Sequence, residues 1–348
     1  MSIQRGQAEA FMLAATDGTR WILKKFHRGR SLDRHYLQAV CSVLPRADGF
    51  LAGTERRVLC RTDLVRTAGC YYSKALADWL DGSVLMPWVI GMDWAGIADE
   101  IREGRLSLQK SQRLTLCRNL TELIRLLEDS GCSHRDLAAG NLLIDPSSLA
   151  IFLIDFDSLY HPSLQMPPGT TCGTAGYAAP FTWRNGNLDP LASWCPHADR
   201  FALAILCTEF LIVDRGAPLT EEGGIFEQDD LRHRSGTSIS LALDKLKAGL
   251  PEAAPLFEAA VRGNNHDDCP SPDAWMGLWM AQGVAGRPPK LKDLEFIDSA
   301  WFQKHLAKRR PPAPLWPAPH LPDMPQVILN SPQVPSVLVT IPGNPWTT

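Results

Sequence analysis

The chain lacks an excess of either charge. Its 35 Lys and Arg face 38 Asp and Glu, for a net −3. That balance leaves no electrostatic footprint for a nucleic-acid backbone or an anionic membrane surface, so neither is expected as a partner. It also lacks paired thiols. The nine cysteines are odd in number, scattered, and include no C-x-x-C. This argues against a zinc ribbon or a complete disulfide framework and implies reduced, mostly core thiols in a cytoplasmic protein. The first residues show no charged-then-apolar signal pattern. The longest apolar run, residues 201–213, is broken by Glu209 and is too short to cross a bilayer. At 348 residues, the chain is long enough for roughly two domains.

What is present centres on residues 133–144, S-H-R-D-L-A-A-G-N-L-L-I. His134, Arg135, Asp136 and Leu137 are followed by Asn141, completing H-R-D-L-x-x-x-N. The spacing has a chemical reason. A carboxylate must accept the proton of an attacking hydroxyl while a carboxamide oxygen a few residues on holds a metal against phosphates. Upstream, Leu116, Leu120, Leu123, Ile124 and Leu127 recur at helical spacing, with Gly131 as a stop. Downstream, two short apolar runs flank the turn D-P-S-S, and the second ends in Asp155-Phe156-Asp157.

These motifs resemble those of eukaryotic-type (Hanks-type) Ser/Thr protein kinases, as a divergent bacterial member carrying D-F-D for D-F-G. T-T-C-G-T-A-G-Y-A-A-P-F, residues 170–181, is similar to the end of a kinase activation segment. A-D-R-F-A-L-A, residues 198–204, is similar to the start of the buried large-lobe helix, whose Asp, here Asp199, fixes the catalytic-loop backbone. The resemblance covers about residues 1–282. It implies an α+β, bilobal protein-kinase fold with a small β-rich lobe and a larger helical lobe. Residues 1–86 would form the small lobe and 87–282 the large one, followed by a helical extension at 283–310 and a Pro-rich tail at 311–348.

Along the small lobe the pattern is thinner. The phosphate-covering hairpin maps to residues 5–13, with Gly6 retained and Ala8 where a further Gly would fall. An ordinary edge hairpin fits that piece equally well. In W-I-L-K-K-F, residues 21–26, alternation puts Ile22 on the face of Lys24, so Ile22 packs on adenine and Lys24 reaches the phosphates. Were Lys25 the ligand instead, Lys24 would point into the small-lobe interior, which is costly without a partner. Ser31 caps a helix over residues 32–44 in the place of the kinase αC. No Glu or Asp occurs at 38–43, where a partner for the lysine belongs, and Gln38 is the nearest polar residue. Residues 45–83 are longer than the family needs and read as an insertion. Met86 takes the gatekeeper position. Pro87 has no amide to donate, so adenine bonding falls to the Pro87 carbonyl and the Val89 amide. Leu143 joins this nucleotide set.

The resemblance implies an ATP-dependent protein Ser/Thr kinase, autophosphorylating, with ATP and Mg²⁺ (or Mn²⁺) as cofactors and a protein substrate as partner. The catalytic set is Asp136, Lys24 and Arg135, with Arg135 and Asp199 as structural supports of the loop, and the metal ligands are Asn141 and Asp155. Gly173-Thr174 favours Ser/Thr over Tyr. Ala138 and Gly140, by contrast, replace the basic helpers of the two subclasses. Two alternatives stay open: a pseudokinase acting as a nucleotide-binding scaffold, favoured by the missing αC Glu, and a small-molecule or sugar kinase, favoured by D-F-D. An activation-loop phosphate on Thr170 or Thr171 is expected, clamped by Arg135. Cys132 and Cys172 flank the site. Phe181 and Cys269 replace the Glu and Arg that tie the activation segment to the lower lobe, so an apolar contact between them is expected. Helices are expected at 235–250, 252–262 and 293–310. Eleven prolines in the last 38 residues predict an extended or disordered tail whose P-x-x-P spacings suit a docking partner.

Overall fold

The computed structural model describes residues 2–5, 8–14, 20–27, 33–62, 74–145, 147–167, 173–184, 186–284, 327–331 and 334–339. Gly6, Ser31, Thr170, Thr171, Cys172 and residues 285–310 therefore lie outside the described residues, as does most of the Pro-rich tail. The chain forms two compact units. One comprises residues 1–34, 55–88 and 290–348, and the other residues 35–54 and 89–289.

The first unit is built on a sheet. Strands β1 (Ser2–Arg5), β2 (Ala8–Ala14) and β3 (Arg20–Phe26) run antiparallel. The register Arg5↔Ala8 ends the pairing of the first two strands. Leu23 is buried, and Lys24 falls on the Ile22 face. Lys25 shares the face of Leu23 and is not stranded there. Its ammonium donates to the Trp79 carbonyl and lies 4.8 Å from the centre of the Trp79 ring.

The segment read as an insertion supplies more structure than its pattern showed. After α1 (Arg34–Val43) come α2 (Leu51–Thr54), the edge strand β4 (Arg57–Val58) and α3 (Lys74–Leu80). Trp79 on α3 also meets Phe11 edge-on at 5.6 Å. Strand β5 (Val84–Pro87) completes the order β1-β2-β3-β5-β4, with Ile22 opposite Met86 and Lys24 opposite Val84.

The second unit is helical around one apolar rod. Strand β6 (Met92–Asp93) leads into α4 (Trp94–Arg102), whose first turn is capped by Asp93 Oδ1 accepting the Gly96 amide at 2.8 Å. Helix α5 (Lys110–Asp129) follows the predicted leucine spacing, and Gly131 at φ 70° takes the chain out of it. Strands β7 (Leu142–Ile144) and β8 (Ile151–Leu153) pair antiparallel, with β6 on the outer edge of β7.

A small hairpin, β9 (Trp183–Arg184) and β10 (Asn187–Leu188), precedes α6 (Arg200–Ile212). Nearly every residue of α6 is buried, as befits a helix apolar all round. Helices α7 (Gln228–His233), α8 (Thr237–Gly249), α9 (Ala254–Arg262) and α10 (Pro272–Ala281) complete the unit. The second of the expected lower helices begins one short 3₁₀ turn late, at Ala254. Trp275 and Trp279 of α10 stack at 5.5 Å, and Trp279 Nε1 donates to Thr121 on α5.

Within the tail, β11 (Val327–Ser331) and β12 (Val334–Val339) pair as an antiparallel hairpin. Among the described residues no helix is long and apolar enough to cross a membrane.

Candidate active site

His134 and Arg135 of the H-R-D-L-x-x-x-N stretch are held from behind by one carboxylate. Asp199 precedes α6 and is buried. Its Oδ2 accepts the His134 amide at 2.6 Å and its Oδ1 the Arg135 amide at 2.8 Å. Burial raises the proton affinity of that carboxyl, and the two amides and nearby His134 pull it back. The bonds hold Arg135 at φ 66°, a left-handed conformation that costs a non-glycine residue about 1–3 kcal/mol. His134 Nε2 donates to the Ile154 carbonyl at 2.8 Å, and its ring meets buried Phe156 at 5.0 Å. Phe156 of the D-F-D motif also packs edge-on against Phe50.

The α1 helix reaches the same segment, where Tyr36 donates to the Leu159 carbonyl at 2.7 Å. α1 therefore touches the chain just past D-F-D through a phenol, and residues 38–43 of it carry no carboxylate.

Asp136 presents its carboxylate to two donors. Thr174 Oγ1 donates to Oδ1 at 2.8 Å, and Asn141 Nδ2 to Oδ2 at 3.3 Å. Asn141 Nδ2 also donates to the Asp136 carbonyl at 2.8 Å. With its nitrogen committed to the loop, the amide leaves its oxygen as the ligand end. The β7–β8 register brings Asp155 to the same end of the hairpin, where the Ile154 amide donates to the Asn141 carbonyl at 3.0 Å. Burial raises the proton affinity of Asp136, and the Asp155 charge adds to this. His134 and the Thr174 and Asn141 bonds oppose it. Asp155 sits at φ 67°, a region Asp tolerates better than most residues. A carboxylate and a carboxamide oxygen make the hard-oxygen pair that suits Mg²⁺ or Mn²⁺ when phosphates supply further ligands.

Arg135 is expected both to support the loop and to clamp a phosphate. It is buried and bonded through all three guanidinium nitrogens. Nε donates to the Ser193 carbonyl and Nη1 to the Ser158 carbonyl, both at 2.9 Å. Nη2 donates to the Pro190 carbonyl at 2.9 Å and to Ser193 Oγ at 3.1 Å, and the group lies over the Trp194 ring at 4.6 Å. It ties together backbone on both sides of the activation segment. To clamp a phosphate it would first have to release these oxygens. The phosphate acceptors expected for it, Thr170 and Thr171, lie outside the described residues.

The remaining predicted residues are placed as follows. Ala8 is the buried first residue of β2, opposite Phe26. Ile22 and Lys24 stand half-buried on β3, and Met86 and Pro87 half-buried on β5. In the second unit Val89 is buried, and Leu143 is half-buried on β7 opposite Phe152.

No family model matches the chain, and no curated protein matches it. Among solved structures it is similar to the crystal structure of the Mycobacterium tuberculosis PknI kinase domain. That likeness has a TM-score of 0.50 and 15% identity, covering 80% of this chain and 92% of the other. The chain has the protein kinase fold. At that identity the likeness carries the fold alone.

Three features of this kinase fold were not anticipated from the sequence. Glu209, seen only as an interruption in an apolar run, is fully buried and accepts three bonds. Trp94 Nε1 and the Tyr177 hydroxyl each donate to Oε2 at 3.0 Å, and the Ile225 amide donates to Oε1 at 2.9 Å. Burial pushes its carboxyl up to about 7 against the pull of those donors. A lone Glu among apolar residues was the available signal. His266 is the second. Phe181 meets its ring edge-on at 4.7 Å and 87°. Cys269 lies buried three residues on, with Sγ toward the Ala260 and Asn265 carbonyls. The ring contact of Phe181 is thus with an imidazole, and Cys269 stands beside that imidazole's own turn. His266 Nε2 donates to the Ala192 carbonyl at 3.2 Å, and burial lowers its pKa to about 4. The third is the β9–β10 hairpin, signalled by the turn pair Asn185-Gly186.

Proposed function

We propose that this protein is an ATP-dependent protein kinase acting on Ser or Thr hydroxyls. The observation that carries the reading is the Asp136 carboxylate, held between Thr174 and Asn141 with Asp155 near enough to influence its ionisation. A base held this way can orient an acceptor hydroxyl and take its proton. Burial raises its proton affinity toward that task. Asn141 and Asp155 are assigned to Mg²⁺ (or Mn²⁺), which when bound neutralises charge on the transferring phosphoryl group. Lys24 is assigned to the α- and β-phosphates. Ile22, Met86, Pro87, Val89 and Leu143 are assigned to the adenine, and residues 5–13 to phosphate cover. Asp199 and Arg135 keep the loop in shape. The Thr174–Asp136 bond supports Ser/Thr over Tyr as acceptor. D-F-D is an open variation, with Asp157 half-buried.

The test is transfer from radiolabelled ATP with Mg²⁺ or Mn²⁺, comparing wild type with Asp136→Asn. Wild type should label itself or an acceptor protein, and the variant should lose about 10²–10⁴-fold. Equal labelling by both would remove the assignment. A second reading is a nucleotide-binding scaffold without turnover, favoured by the absence of an acidic residue at 38–43 in α1. It predicts that wild type binds ATP and transfers nothing.

A further inference from the structure

One side chain remote from the catalytic loop holds the backbone that leads to it. Gln228 opens α7, directly after Glu227. Its Oε1 accepts the Gly176 amide at 2.8 Å, and its Nε2 donates toward the Ala178 carbonyl at 3.5 Å. A single carboxamide thus meets a donor and an acceptor two residues apart on one stretch of chain, as a neighbouring β-strand would. The fit is close. Gly176 sits at φ 82°, and a Cβ there would stand 2.9 Å from the Phe226 carbonyl oxygen, two residues before Gln228. Conformation and space both require glycine at this point.

The held stretch connects to the base by one turn. The Tyr177 and Ala178 amides donate to the Thr174 carbonyl at 3.0 and 3.1 Å, and Thr174 Oγ1 donates to Asp136. On the other side Tyr177 is pinned by Glu209. A displacement of residues 176–178 therefore moves Thr174, and with it the donor on the Asp136 carboxylate. We propose that Gln228 is a positioning residue for the transfer reaction: it sets the backbone of residues 176–178 on which the acceptor docks, and through Thr174 it aligns the acceptor hydroxyl with Asp136. This rests on the kinase reading above.

The stronger of the two Gln228 bonds is the one it accepts, so the variants separate the two. Gln228→Ala removes both, whereas Gln228→Glu keeps the acceptor for the Gly176 amide and loses the donor. Transfer from radiolabelled ATP to myelin basic protein is measured alongside amide hydrogen exchange of the full chain. Losing both bonds should raise KM for the acceptor protein about fivefold to tenfold, with KM for ATP unchanged. Gln228→Glu should return most of the loss. Exchange across 173–181 should quicken in Gln228→Ala, while α5 and α6 exchange as in wild type. An unchanged acceptor KM overturns the proposal, whether or not exchange quickens. So does a parallel rise in KM for ATP, or faster exchange throughout α6, since either marks a general loss of structure. If wild type transfers no phosphate, the kinase reading falls on its own account. The exchange arm then decides alone: unaltered exchange at 173–181 overturns the backbone role, and local quickening upholds it.

Discussion

Two anchors on the activation segment's side of the second unit solve the same problem by opposite means. At one, Asp199 buries a carboxylate and fills both oxygens with the amides of His134 and Arg135. At the other, where kinases of the resembled family place an ion pair, Phe181 rests on the His266 ring and Cys269 is buried beside it. Asp199 and His266 line the same cavity of about 20 Å³, a volume that fits one water. The difference shows what a buried charge is for. Asp199 holds backbone in a left-handed conformation that apolar contact could not enforce. The Phe181 end needs only cohesion, and there apolar groups can replace an ion pair at no cost, because both charges have gone together.

The comparison breaks most readily at Asp199. Asp199→Ala strands two buried amides and releases Arg135 from its strained conformation. We expect a loss of about 4 kcal/mol in urea unfolding, the stranded amides outweighing the relief of strain. A loss under about 1 kcal/mol would show the two anchors to be equivalent. Next comes Phe181→Glu, which puts a lone carboxylate against a neutral imidazole and should cost about 3 kcal/mol. Combining it with Cys269→Arg should recover part of this in thermal melts. A double variant no better than the sum of the singles would mean that the two positions do not face each other.

The pH response sharpens the contrast further, because two buried groups have opposite signs. The folded-state pKa of His266 is lowered to about 4, so its contribution is present above about 6.5 and is lost as pH falls toward 4. Wild type should therefore lose about 2–3 kcal/mol relative to His266→Gln over that window. The folded-state pKa of Glu209 is raised to about 7, so its contribution is present below about 4.5 and is lost as pH rises through 7. Against Glu209→Gln, wild type should lose stability as pH rises. Denaturant midpoints from pH 4 to 8 would register both slopes, and parallel profiles for the two variants would refute the assignment. The smallest effect is expected from Thr174→Val, which removes one donor from Asp136 and should cost about 1 kcal/mol.

Legibility followed sequence distance and chemistry. The loop from His134 to Asn141 could be read because its residues and spacing match the kinase signature, and a helix pattern leads straight to it. The register of Lys24 could be read from strand alternation. What made Lys25 tolerable on the Leu23 face could not, because Trp79 is 54 residues away on a helix hidden in an unpatterned stretch. Glu209 draws donors from Trp94, Tyr177 and Ile225, three separate segments, and no local pattern joins them. Arg135 carried the right residue type for a phosphate clamp. Its support of the loop followed from the resemblance, and which backbone it holds, at Ser158, Pro190 and Ser193, is set by the fold. The β9–β10 turn was visible in Asn185-Gly186, but its two-residue strands are too short for alternation to announce.

That placement of Arg135 has a consequence for the length of the chain it encloses. By bonding Ser158 on one side and Pro190 and Ser193 on the other, one guanidinium closes the neck of a loop. The entropy of joining the ends is borne by the neck, and it grows only logarithmically with what lies between. Doubling the enclosed length would cost about 0.6 kcal/mol. Length inside the noose is therefore cheap in entropy while the knot at Arg135 stays tied, and composition is constrained where residues inside it bond outward, as Thr174, Gly176, Tyr177 and Phe181 do.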